Sequence, residues 1–297
     1  MTELKSIFVG KKWEVRVAEE VIHLPDWIAD AGKKAVTKWQ RVFPKERSWV
    51  QKEFGIPSLI VRAEGVPHGN GFHFFEIEER PAGVGITSKF SQSFADNLGQ
   101  LTGVWPDFKV LVSSARQGAG DDYLWRDVVT PDQVQDSDLL IIRAEPEESE
   151  FHQFIHRSVS SLAEKGNKAY GEKFGWWKTV SGEDDLPWDQ AFVVKPCQGS
   201  KARGLEIWDP IKRRNGCSTR SRIVRTLSKA KTMYCQPLVD PIAHDDGMMI
   251  YRIFYGFDPR SGEWVCMGGC YNVRPNLRIH GASDAFFGAL VYQPSIA

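Results

Sequence analysis

Two runs rich in apolar, β-branched and aromatic residues bracket a short stretch of turn formers. Leu59 to Arg62 reads LIVR, Phe72 to Glu78 reads FHFFEIE, and GVPHGNG lies between them. This pattern predicts an antiparallel hairpin with a loop at its tip. Residues i and i+2 of a strand share a face, so Glu76 and Glu78 project together from a segment otherwise rich in Phe. The hairpin returns Glu64, at the end of the partner strand, to their side, and Arg62 faces the same way. Converging carboxylates repel one another unless a cation or a proton intervenes. A hard divalent cation, chiefly Mg²⁺, suits such oxygen ligands, and an arginine beside it suits a bound phosphate. The competing reading is the salt-bridged solvent face of an ordinary ribbon. Arg143-Ala144-Glu145 repeats the tripeptide Arg62-Ala63-Glu64, but IHRS stands at 155–158, so no paired carboxylates follow and the repeat reads as chance.

The chain around the hairpin changes texture twice. Residues 1–81 form a mixed N-terminal segment ending in the hairpin, with helical spacing of Val36, Trp39 and Phe43 over Lys33 to Phe43. From 82 to 147 the pattern alternates. Ser88 to Gly103 reads as a helix, Lys109 to Val112 and Leu139 to Ile142 as buried strands, and together they predict a small parallel α/β unit. A helix is predicted over Glu150 to Ala163. The remainder, 148–297, carries strand-like runs at Ala191 to Lys195, Leu205 to Trp208, Thr232 to Gln236, Met248 to Tyr255 and Trp264 to Tyr271, with a basic helix within 211–231. The expected class is α/β (α+β). The length of 297 residues allows one large domain or two closely packed lobes.

Charge and cysteine usage exclude several classes. Thirty-eight basic and 38 acidic residues leave no net field to favour nucleic acid or an anionic membrane. No apolar run approaches a membrane span and the N-terminus lacks a signal peptide's apolar region, so a cytoplasmic protein is expected. Five cysteines without a CxxC pair argue against a disulfide framework or structural zinc. His152 and His156 lack a third ligand, and His280 and Asp284 have no serine at triad spacing.

Lys195 ends a strand and precedes Pro196 and the loop Cys197-Gln198-Gly199-Ser200-Lys201-Ala202-Arg203-Gly204. Such a loop can lay backbone N–H groups over phosphate oxygens, although it matches neither the Walker pattern nor GxGxxG. Asn167-Lys168-Ala169 precedes that strand. Tyr234-Cys235-Gln236-Pro237-Leu238, the strand with Arg252, and Asn272-Val273-Arg274-Pro275 follow it.

This order resembles the ATP-grasp superfamily. The resemblance implies that Lys168 and Lys195 contact nucleotide phosphates and that Gly199 and Ser200 lie in the phosphate-covering loop. Gln236 and Leu238 then belong to the hinge strand that pairs with adenine, and Arg274 and Arg252 reach the terminal phosphate. In ordinary members an Asp, about eleven residues and Glu-x-Asn come last and hold Mg²⁺. Here Glu64, eleven intervening residues and Glu76-Ile77-Glu78 come first. The chain is therefore similar to circularly permuted ATP-grasp proteins, closest to the synthetase domain of glutathionylspermidine synthase, over roughly residues 56–292. Glu64 stands for the usual Asp and Glu78 for the usual Asn. No amidase segment precedes the hairpin, and the spacing from Lys168 to Lys195 is short.

The resemblance implies an ATP-dependent carboxylate–amine ligase that works through an acyl phosphate, with Mg²⁺ on Glu64, Glu76 and Glu78, Arg62 and Arg274 as catalytic cations, and a small acid and an amine as substrates. Two alternatives remain: a small-molecule kinase on the same fold, and a non-catalytic protein that binds nucleotide or a partner through a decayed site.

Overall fold

The protein is described by a computed structural model over residues 2–9, 13–43, 47–114, 120–143, 149–161, 170–196, 204–211, 217–229, 232–277 and 285–294. It is a mixed α/β fold in which strands predominate over helices. The chain opens with β1 (Leu4–Val9) and β2 (Trp13–His23), followed by helices α1 (Asp26–Val42) and α2 (Trp49–Phe54). The hairpin expected from the sequence comes next as β3 (Ile60–His68) and β4 (Gly71–Glu78). Helices α3 (Val84–Phe90) and α4 (Gln92–Thr102) lead into short strands β5 (Lys109–Leu111), β6 (Val128–Val129) and β7 (Leu140–Ile142). Helix α5 (Tyr170–Lys173) precedes β8 (Lys178–Val180), β9 (Phe192–Pro196) and β10 (Glu206–Trp208). Helix α6 (Arg220–Lys229), β11 (Met233–Pro237), β12 (Ile242–His244), β13 (Gly247–Asp258), β14 (Glu263–Arg274) and β15 (Phe286–Val291) complete the described elements.

Three sheets result. The largest runs β1-β2-β15-β14-β13-β3-β4, with β12 paired to the start of β13. It is antiparallel throughout except where β15 meets β2. The second, β10-β9-β11-β8, is antiparallel, and the third, β6-β5-β7, is parallel. The large sheet thus combines strands from both ends of the sequence, and the parallel sheet is inserted between them.

Each sheet face is covered for a reason legible in its side chains. Helix α1 turns Ile28, Val36 and Trp39 inward, all essentially buried, onto one face of the large sheet. There Tyr255 donates its hydroxyl to the Ala29 carbonyl at 3.1 Å. Helix α4 covers part of the opposite face, with Phe94 edge-on to Phe254 at 5.1 Å. Helix α6 lays Ile223 and Leu227 on Phe192, Val194 and Met233 of the second sheet. The other side of that sheet turns Val193 and Ile207 towards Met248 of β13 and Leu277 just beyond β14. Two antiparallel sheets therefore face one another at that point, and the candidate site lies there.

The differences from the sequence reading have local causes. Strand β3 extends through His68, so Glu64 is mid-strand, and Gly69, at φ +56°, makes a much tighter turn than GVPHGNG suggested. The helix expected over Ser88 to Gly103 is two helices. Ser91 adopts an extended conformation between them and its hydroxyl accepts from the Phe94 N–H, capping α4. The helix expected from Glu150 is a 3-10 segment, Ser149–Arg157, after which Ser158 bridges to Leu140 and Ser160 to Ser58. Helix α1 starts at Asp26, seven residues before the periodicity became regular. No described helix is long and apolar enough to cross a membrane.

Gly32 of α1 gives a test of this packing. A Cβ placed there would stand 1.8 Å from the Tyr255 hydroxyl, which is buried and hydrogen-bonded. Gly32→Ala should therefore destabilise the protein by about 1–3 kcal/mol through overpacking, against the roughly 1 kcal/mol that helix propensity alone would add. Urea unfolding measures the sign, and a more stable Gly32→Ala protein would refute this account of how α1 sits on the sheet.

Candidate functional site

Strand register brings the charged residues together on one face. Glu64 of β3 lies opposite Glu76 of β4 on one side and Arg252 of β13 on the other. Arg62 lies opposite Glu78 and Phe254. Arg252 is opposite Cys270 of β14. Side chains alternate along β14, so Asn272 and Arg274 share the face of Cys270. Six predicted residues (Arg62, Glu64, Glu76, Glu78, Arg252 and Arg274) thus occupy one face across four neighbouring strands.

The sequence alone predicts repulsion among the three carboxylates. The structure supplies internal counter-ions instead. A terminal guanidinium nitrogen of Arg62 stands 2.6 Å from Glu64 and 2.5 Å from Glu78. Arg62 also donates to the Ala82 carbonyl. Arg252 adds a second contact to Glu64, at 3.2 Å. Burial alone would push the Arg62 pKa down, but Glu78 and Glu64 outweigh it and hold the pKa above the ordinary value. The fork geometry of arginine lets one side chain serve two carboxylates. Among the described residues, no group of three or more histidine, cysteine, aspartate or glutamate side chains is gathered as a metal cage.

Lys195 approaches from the second sheet. Its ammonium donates to the Phe75 carbonyl at 2.9 Å and lies 4.6 Å from the Trp177 ring centroid. Phe75 is an extra residue in β4, since Glu64 pairs with Glu76 but Gly65 with Phe74. Such a bulge kinks an edge strand and re-aims its groups, here placing the carbonyl before Glu76 where a lysine reaches it. Gln236 of β11 pairs with Val193 and shares a face with Tyr234, the partner of Lys195. The Gln236 Oε1 is buried without a hydrogen-bond partner among the described residues. Leu238 donates its N–H to Ala191 at 3.0 Å. With His68 at the hairpin tip, Asp209, Ile211 and Asp240, it lines a cavity of about 310 Å³.

Lys168, Gly199 and Ser200 lie outside the described residues, as do most of the glycine loop, His280 and Asp284. His152 and His156 are exposed on a 3-10 segment, where helical i,i+4 spacing does not apply. Arg143, of the repeated tripeptide, is a structural clamp. It pairs with Asp122 at 2.7 Å and donates to the carbonyls of Arg80 and Pro81, tying the parallel sheet to the hairpin's exit.

Three residues of the site were not singled out from sequence: Trp177, His73 and Asn272. Trp177 gives no local signal, because its role depends on a strand far along the chain. His73 sits on β4 opposite Val66, and its Nε2 is buried without a hydrogen-bond partner among the described residues. Asn272 is 0% exposed and neither amide atom has a partner among the described residues. Leaving such a group unpaired costs roughly 1–3 kcal/mol, so a stable fold rarely retains one without a use. The available signal was its place two residues before Arg274 on a strand.

Compared with models of known protein families the chain matches none, and it matches no curated protein.

Burial, His68 and Lys195 together push the His73 pKa down from 6.5 to about 4. The folded state therefore resists protonating a group that the unfolded chain protonates below 6.5. Its contribution is fully present above pH 6.5 and is lost as pH falls towards 4. His73→Phe should flatten that part of the acid limb, so that its stability relative to wild type improves between pH 6.5 and 4. Urea midpoints measured across that window test this, and parallel profiles would show that His73 is not the group responsible.

Proposed function

We propose that the chain is an ATP-dependent carboxylate–amine ligase with a circularly permuted ATP-grasp arrangement. The observation that carries this is the contact of Lys195 with the Phe75 carbonyl. It joins the strand expected to hold phosphate to the hairpin expected to hold metal, one residue from Glu76. The two halves are distant in sequence, and nothing local requires them to meet. The cavity beside Leu238 lies next to the expected hinge, and its size is compatible with a nucleotide base there. Glu64 and Glu76, directly opposed, would hold Mg²⁺. One or two carboxylates with substrate phosphates completing the shell is that ion's usual manner of binding, so a three-carboxylate cage is not required. Bound there, Mg²⁺ would supply charge neutralisation for phosphoryl transfer to the substrate carboxylate. Lys195, Arg62, Arg252 and Arg274 align and neutralise the oxyanions, and no protein nucleophile takes part.

One observation favours a second reading, a non-catalytic nucleotide-binding protein. Arg62 already holds both Glu64 and Glu78, leaving them less available to a metal. A screen for ADP release over amino acids, short peptides and polyamines, with mass spectrometry of products, separates the readings. Amide product supports the ligase. A phosphorylated product without amide identifies a kinase, and no ADP release with any acceptor removes both.

Two substitutions test the site itself. Lys195→Ala should weaken ATP binding about tenfold to a hundredfold, the worth of one charge-assisted bond. Glu76→Gln should abolish the Mg²⁺-dependent part of the ATP-induced thermal shift, whereas Glu78→Asn should keep it. An identical Mg²⁺·ATP shift in wild type and Glu76→Gln would defeat the metal assignment.

A further inference from the structure

Asn272 lies on β14, at the margin of the charged face nearest Arg252 and Arg274. Its cross-strand partners are Ile250 and Phe287, Arg274 follows two residues later on its own strand, and Arg252 is the diagonal neighbour on β13. It is completely buried, yet its carboxamide has neither a donor nor an acceptor partner among the described residues. A leucine would fill similar space without that penalty. The flanking cations rule against a metal ligand and favour an anion as the group that completes the amide.

We propose that Asn272 is an oxyanion-binding residue, its Nδ2–H donating to a phosphate or carboxylate oxygen held between Arg252 and Arg274. This extends the ligase reading by naming a contact at the point where phosphate and acid must meet, and it rests on that reading for the identity of the ligand. The arginines supply charge and the amide supplies direction, because a planar NH₂ group fixes where an oxygen must sit.

Asn272→Leu and Asn272→Ala test it, with Mg²⁺·ATP, pyrophosphate and glutamate as probes in calorimetry and thermal unfolding. Without ligand, Asn272→Leu should melt at or above the wild-type temperature, since an unpaired buried amide has been removed. Both variants should bind the relevant probe about tenfold to a hundredfold more weakly. Matching losses for Mg²⁺·ATP and pyrophosphate identify the oxyanion as phosphate, and a loss confined to glutamate identifies it as carboxylate. Folded variants that bind every probe as wild type does would overturn the proposal. Wild type unaffected by Mg²⁺·ATP would instead remove the nucleotide reading. The assignment of Asn272 then stands if pyrophosphate or glutamate binding depends on it, and falls if neither does.

Discussion

The guanidinium of Arg62 is the point on which the charged face depends. Arg62 is 9% exposed, and its guanidinium touches two carboxylates on two strands and reaches the Ala82 carbonyl beyond the hairpin. Buried ions are costly to desolvate, and the attraction between them offsets that cost only when geometry and additional hydrogen bonds are good. Here one side chain meets both conditions. Its fork stitches β3 to β4, and the Ala82 contact holds the chain that leaves the hairpin. Arg143 continues the same device, holding the carbonyls of Arg80 and Pro81 from the parallel sheet. Two buried arginines thereby fix how the inserted parallel sheet sits against the hairpin.

The apolar packing explains why most of this face is turned towards the second sheet rather than towards a helix. Helix α1 covers the opposite face of the large sheet, and α4 covers only the end around Phe254. Helix α6 covers the outer side of the second sheet, leaving Lys195 and Gln236 on the inner side. The sheets then meet through a few apolar contacts around Met248 and Leu277. Polar groups that no helix covers are left facing one another, and several, including Gln236 and Asn272, lack partners among the described residues. On the proposed reading, these buried polar groups between the two sheets are the ones a bound oxyanion would engage.

Much of this was legible locally. The hairpin followed from turn formers between two β-rich runs, and strand periodicity alone put Arg62 and Glu64 on one face. Core strands such as Leu140 to Ile142 declared themselves by continuous burial of branched residues. What failed was whatever depended on distant partners. β15 lies between β14 and β2, and its pairing joins residues 286–291 to residues 16–23, a relation that no short window contains. The bulge at Phe75 was invisible because it is defined by register with β3. The break at Ser91 was missed because serine is tolerable within a helix and preferable at its start. Arg62 was expected to meet phosphate. That it also pairs with Glu64 and Glu78 required knowing the separation of side chains rather than their shared direction.

On the proposed reading, Glu64 and Glu78 stand where the ATP-grasp pattern has Asp and Asn, and these contacts give the two glutamates a common physical meaning. A glutamate carries one more methylene than either replacement, and at position 78 it carries a charge that asparagine lacks. The extra reach lets Glu64 meet Arg62 along β3, and reach together with charge lets Glu78 meet it across the strand pair. With Asn at 78, the guanidinium would keep only Glu64 as a carboxylate partner on the hairpin, and more of its charge would be directed at a ligand. On the proposed reading, nucleotide and metal must therefore compete with an ion pair already formed. Binding then includes the cost of loosening Arg62 from Glu78 and the return from its new phosphate contact. That exchange is nearly neutral in charge, since one anion replaces another beside the same cation. The chain can keep a stable, self-neutralised face without ligand and still offer the arginine when an oxyanion arrives.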